Sequence, residues 1–182
     1  MDTNLVSFFE LENEAVEVDI PYPDYEISDT LKISGCRAFA VRVLGNLVGG
    51  KEDCVDINNK SSNIHVTVDG IIIPMGKYVA TIKGGSSHVY LSGVIMGHGS
   101  EVDIDIGNIS DQSDNLTGPV YLNLLHVKGK QEKITVRCIG GPRPVLMNEG
   151  EQDYEIILKV PGFWQSVLLK AWKFGKKIKV LP

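Results

Sequence analysis

The feature that most constrains this chain is a repeat. Val55-Asp56-Ile57-Asn58-Asn59-Lys60-Ser61-Ser62-Asn63-Ile64-His65-Val66 returns 25 residues later as Ala80-Thr81-Ile82-Lys83-Gly84-Gly85-Ser86-Ser87-His88-Val89-Tyr90-Leu91. The pattern fits once before, with Leu31 and Ile33 lying 24 residues ahead of Val55 and Ile57. It fits twice after, with Ile104 and Ile106 24 residues beyond Ala80 and Ile82, then Ile134 and Val136 a further 30 on. A period in the twenties marks a chain that stacks one unit on the next. Each unit holds two or three short alternating runs broken by Gly, Asn and Ser, with no helical spacing between them. The pattern predicts an all-β fold: a short, single-stranded right-handed parallel β-helix of about four to five coils.

Three stretches follow. Residues 1–30 read as an N-terminal arm, with a strand where Val16, Val18 and Ile20 alternate with Glu17 and Asp19. Residues 31–139 read as the solenoid, with a polar insertion from Ser110 to Gly118 in its fourth coil. Residues 140–182 read as a cap: a strand over Tyr154 to Val160, then an amphipathic helix from Phe163 to Phe174. Trp164, Leu168 and Trp172 fall on one face of that helix. Arm and cap would cover strand edges that invite aggregation when left open; the basic, Trp-containing helix could instead lie on a membrane surface or meet another copy or another protein.

Alternation also assigns the facing of each side chain. Val55, Ile57, Ala80, Ile82, Ile104 and Ile106 point inward. Between them an outward ladder reads Lys32, Asp56, Thr81, Asp105, Thr135, and a second reads Ser34, Asn58, Lys83, Gly107, Arg137, with Asp103 beside Lys133. Lys32, Asp56, Lys83, Asp103, Asp105 and Arg137 are therefore candidate ligand-binding residues. The cations could hold acidic groups of a glycan, and the same charges could simply pair across strands.

Charge and composition exclude several classes. The formal net charge is −5, but residues 163–182 carry five Lys and no acid, leaving 13 basic against 23 acidic residues elsewhere, a net of −10. An acidic body is a poor binder of nucleic acid, whose affinity comes from clustered Lys and Arg. No apolar run is long enough for a membrane span, and no secretory signal opens the chain. Three Cys, an odd count, argue against a disulfide framework. No Cys or His grouping has metal-ligand spacing, so neither metal nor cofactor is expected. No Ser has a base and an orienting acid at recognisable spacing.

Two resemblances add context. Gly50-Lys51-Glu52-Asp53-Cys54-Val55-Asp56-Ile57-Asn58, followed by Ser61-Ser62-Asn63-Ile64, resembles a segment of the polygalacturonase-type glycoside hydrolases, which are pectin-lyase-like β-helices. Gly97-His98-Gly99 is similar to that family's Gly-His-Gly. The resemblance implies catalytic roles for Glu52 and Asp53 as paired acids and for His98 as their support, in an inverting hydrolysis. Asp53 and His98 are 45 residues apart, nearly two coils, or roughly 9–10 Å at the usual strand spacing. The family's further acidic motif and its downstream Arg-Ile-Lys have no counterpart here.

The tract Met96-Gly97-His98-Gly99-Ser100-Glu101-Val102-Asp103-Ile104-Asp105-Ile106-Gly107-Asn108, running on to Ser110-Asp111-Gln112-Ser113, is similar to a stretch of small phage-encoded β-helix proteins. That resemblance implies a virion or tail-associated part, found in the virion or the host cytoplasm. Short β-helices often gain stability by oligomerising, so the expected partners are copies of itself, a homotrimer being one such form, or other virion proteins. The expected function is a non-catalytic structural or binding module. The alternative is a glycoside hydrolase or lyase acting on acidic glycans.

Overall fold

The computed structural model describes residues 16–20, 27–28, 30–105, 119–127, 133–139, 144–159 and 178–181. Its strands are β1 (Val16–Ile20), β2 (Ile27–Ser28), β3 (Leu31–Ser34), β4 (Arg37–Val43), β5 (Leu47–Val48), β6 (Val55–Asn58), β7 (Ser62–Ile73) and β8 (Tyr78–Ile82). After these come β9 (Ser87–Ile95), β10 (Glu101–Asp105), β11 (Val120–His126), β12 (Ile134–Ile139), β13 (Val145–Leu146), β14 (Tyr154–Lys159) and β15 (Ile178–Leu181). The fold is all-β, with no helix among the described residues.

Two parallel sheets account for these strands. The first runs β1-β4-β7-β9-β11-β13, with β2 and β5 beside it, and the second runs β15-β14-β12-β10-β8-β6-β3. From β3 to β14 the chain passes back and forth between the two, and each return lays a strand parallel to the one before. Strands from residues 1–30 and 140–182 join the same sheets as those from 31–139.

The alternation in the sequence becomes burial. In the second sheet Leu31, Val55, Ala80, Val102, Val136 and Ile156 are register neighbours in one buried column. Ile33, Ile57, Ile82, Ile104 and Cys138 form another. Phe39, Ile64, Val89 and Val120 make the facing column of the first sheet. All belong to one hydrophobic cluster. β-Branched side chains pack well on such pleated, fully covered surfaces.

One register differs from the repeat. Val102 lies against Ala80 and Ile104 against Ile82, with a bulge between Glu101 and Val102, rather than Ile104 and Ile106 in those places. Ile106 lies outside the described residues. The outward ladders change with it. Thr81 is followed by Asp103 and Arg137, not by Asp105 and Thr135. Asp103 stands beside Arg137 rather than Lys133, and Lys133 pairs with Glu155 at 3.5 Å. Asp105 is set against Ile139.

The strands expected at Val16 to Ile20 and at Tyr154 to Val160 are present as β1 and β14. The helix expected at Phe163 to Phe174 and the insertion at Ser110 to Gly118 lie outside the described residues. Tyr154 of β14 reaches from the second sheet to the first. Its hydroxyl sits 2.8 Å from the Leu124 carbonyl and 2.7 Å from Asn148 Oδ1. Burial pushes its pKa up to about 12, against the opposing effect of those bonds.

Candidate functional site

The candidate residues gather on the outer face of the second sheet, because inward alternation of β6, β8, β10 and β12 forces their polar neighbours out. One row reads Lys32, Asp56, Thr81, Asp103, Arg137. The next, toward the strand starts, reads Tyr78, Glu101, Thr135, Glu155.

Arg137 is the hub. Its Nε donates to Asp103 Oδ1 at 2.7 Å and its Nη2 to Asp103 Oδ2 at 3.1 Å, the two-pronged geometry that makes Arg–carboxylate pairs strong. Nη2 also donates to the Tyr78 hydroxyl at 2.6 Å, and the guanidinium lies 5.2 Å from the centre of the Tyr78 ring. Glu101 Oε2 is 2.9 Å from Nη2. That contact is an ion pair without a hydrogen bond: Oε2 is buried and no donor points at it. Lys77 holds the other Glu101 oxygen at 3.2 Å. The Asp103 hydrogen bond, with smaller help from Tyr78 and from the Asp103 and Glu101 charges, raises the Arg137 pKa still further above its ordinary value.

A second group lies one strand over. The Thr81 hydroxyl donates to Asp53 Oδ2 at 2.5 Å and stands 3.4 Å from Asp56 Oδ1. Asp53 is only 7% exposed, and Thr81 5%. Lys83 Nζ is 4.0 Å from Asp56 Oδ1, a loose pair. Next in sequence, burial and the Asp53 charge push the Cys54 thiol up to about 12.

The residues singled out by the glycoside hydrolase resemblance share one corner. Backbone stacks there: Tyr78 N donates to Glu52 O at 3.1 Å, and Glu101 N to Lys77 O at 3.4 Å. A side chain on Gly76 would strike the Lys51 carbonyl, and one on Gly99 would strike Pro74, so these turns nest one on another. His98 therefore sits two layers beyond Glu52 and Asp53. The side chains do not converge. Glu52 and His98 are exposed, whereas the Asp53 carboxylate turns in toward Thr81. Asp53 and Asp56 approach each other at Thr81. Through the shared Thr81 hydroxyl these two oxygens lie within about 6 Å, short of the roughly 6.5–9.5 Å that an inverting hydrolysis needs for its water.

Among the six candidate ligand-binding residues, the structure brings Asp103 to Arg137 and Asp56 to Lys83. Lys32 and Lys83 are exposed. Asp105 lies further along β10, away from the Arg137 hub. Tyr78, Thr81 and Glu101 complete the site and are not among the candidates taken from the sequence. Their signal is the register itself, since once Glu101 is set beside Tyr78 the aromatic ring and the acid flank Arg137. No cluster of His, Cys, Asp and Glu among the described residues is arranged to hold a metal ion. No family model, curated protein or solved structure matches the chain.

Proposed function

We propose that the chain is a non-catalytic structural or binding module built as a right-handed parallel β-helix, its two sheets being the walls of one stacked coil. Regular pairing at 24 or 25 residues through β3, β6 and β8, and through β4, β7 and β9, supports the coil. So does the general rule that parallel crossovers run right-handed. The observation that carries the non-catalytic reading is the commitment of the acids. Asp103 is clamped by Arg137, and Asp53 is buried on Thr81. A general acid or base must instead reach the substrate at hydrogen-bond distance.

The virion or tail-associated setting is part of the proposal, supported by the resemblance of the tract from Met96 to Asn108 and on through Ser113. Lys32 and Lys83 are the cations placed to meet an acidic glycan or a partner's carboxylates. The test is incubation with a panel of acidic polysaccharides. The reading expects no new reducing ends and no unsaturated products. Turnover that Asp53→Asn abolishes would overturn it in favour of a hydrolase or lyase.

A further inference from the structure

The second sheet passes the chain to the first through a corner that recurs in three successive coils. It comprises residues 35–38, 58–63 and 83–88, joining β3 to β4, β6 to β7 and β8 to β9. Backbone stacks there coil on coil: Ser62 N donates to Cys36 O, Lys60 N to Gly84 O and Ser87 N to Ser61 O, each at 2.9 Å. Each coil brings one Lys or Arg to this corner. These are Arg37, Lys60 and Lys83, all exposed. At the usual strand spacing they follow one another along the stack axis by about 4.8 Å. The three stretches contain no Asp or Glu. Asp56 makes only a loose pair with Lys83, at 4.0 Å, and no carboxylate among the described residues pairs with Arg37 or Lys60.

Two costs meet at this corner. Like charges on neighbouring strands repel. The backbone is also strained. Among the described residues all five non-glycine positions of positive φ lie here: Ala38, Asn59, Lys60, Asn63 and His88. Lys60 is the informative one. Its φ is 57°, and the repeat sets it level with Gly85, at 77°, in the next coil. Glycine takes that conformation without a Cβ clash, so a Lys is the less stable choice. What the Lys adds is a charge in step with Arg37 and Lys83. Strain retained at such a position points to a site.

The spacing selects the ligand. A small anion needs only one or two of these cations. Three of them, one per coil, match a linear chain whose negative groups recur unit by unit. An extended acidic peptide turns successive side chains to opposite faces, so its same-face acids recur at about 6.6 Å, out of step with the coils. A linear acidic glycan carries a carboxylate or sulfate on successive sugars and stays in step. Asn59 and Asn63, exposed on the same corner, have amides that both donate to and accept from sugar hydroxyls.

We infer that this corner is a binding site for a linear acidic glycan lying along the stack axis, with Arg37, Lys60 and Lys83 each holding one acidic group. The inference rests on the reading of the chain as a binding module and names its ligand class and place. Turnover of the glycan would sink the non-catalytic reading and leave this site to its own test.

That test is calorimetric titration of the full chain with polygalacturonate and heparin fragments, with neutral dextran and poly-glutamate beside them. Binding of at least one acidic glycan is expected, with none of dextran and weaker binding of poly-glutamate. Arg37→Gln, Lys60→Gly and Lys83→Gln should each weaken it at least fivefold. Lys133→Gln, which removes an exposed cation paired with Glu155 on the second sheet, should change it less than twofold. Lys60→Gly separates binding from folding, because it should raise the urea midpoint while lowering affinity. No binding of either glycan overturns the inference. So does tighter binding of poly-glutamate, which would mark an acidic protein as the partner. A Lys60→Gly variant that is more stable and binds as the wild type does would also overturn it, as would a loss shared equally by Lys133→Gln.

Discussion

The two walls share one interior and differ outside. On the second sheet the outward rows are charged and tied strand to strand, with Arg137 bridging Asp103, Glu101 and Tyr78 across three strands. On the first sheet the outward contacts among the described residues include a His65–Tyr90 ring stack at 5.2 Å, an Asn123–Ser92 hydrogen bond and the exposed Arg42–Asp69 pair. Identical alternation thus produces one wall tied strand to strand by its own polar groups and another with fewer such ties among the described residues. The lesson is that inward residues specify the stacking, while outward residues are free to specialise each face.

The largest effect should come from two groups whose ionisation burial opposes. Cys54 at the foot of β6 and Tyr154, bridging to Leu124, both have pKa values raised to about 12 from ordinary values of 9.0 and 10.0. Folding therefore favours their protonated forms. Their contribution is full below pH 9 and is lost as pH rises from 9 to 12; the rises of about 3 for Cys54 and about 2 for Tyr154 set an upper bound of about 7 kcal/mol at about 1.4 kcal/mol per unit. Urea titrations from pH 7 to 12 should show a flat region and then this fall. Cys54→Ala should move the onset to about pH 10.

Next comes the locked wall alone. Arg137→Ala leaves Asp103 without its cation and Glu101 with Lys77 alone, and should cost about 2–3 kcal/mol in chemical denaturation. Arg137→Lys should recover only part of this, having lost the two-pronged grip. Tyr121→Ala on the other wall should cost under about 1 kcal/mol. Equal losses would erase the contrast. Thr81→Val, which strips the buried Asp53 carboxylate of its donor, should cost about 1–2 kcal/mol, whereas Thr67→Val in the equivalent outward place should be nearly neutral.

The smallest effect lies at the start of the first sheet's strands. Ala38, Asn63 and His88 stack there with φ of 54°, 56° and 53°. Asn and His tolerate that left-handed conformation better than Ala does. Ala38→Gly should stabilise by about 0.5–1 kcal/mol, read as a small rise in thermal midpoint.

Much of this was legible in the sequence, and the failures have physical causes. The columns through Ile33, Ile57 and Ile82 follow from a regular period, with inward residues every second place. The β10 register was missed by two residues. A slip of one would expose every apolar side chain, but a slip of two leaves Val102 and Ile104 facing as before, so hydrophobicity cannot choose between them. The bulge at Glu101 makes the choice, and with it the pairing of Asp103 to Arg137 in place of the expected Asp105 to Thr135. The Tyr90–Tyr121 row was hidden for a related reason. Its members are 31 residues apart across residues 106–118, where the period is broken. The buried turn of Asp53 toward Thr81 has no sequence signature, because an acid beside a corner Cys reads equally well as open to substrate.

A double-mutant cycle on the locked wall tests the central claim most directly. With Arg137→Ala, Asp103→Ala and Asp105→Ala combined pairwise and unfolded in urea, coupling between 103 and 137 should be about 1–3 kcal/mol and that between 105 and 137 within about 0.5 kcal/mol. Strong coupling of Arg137 to Asp105, with none to Asp103, would contradict the register on which the site, the contrast between walls and the proposed module all depend.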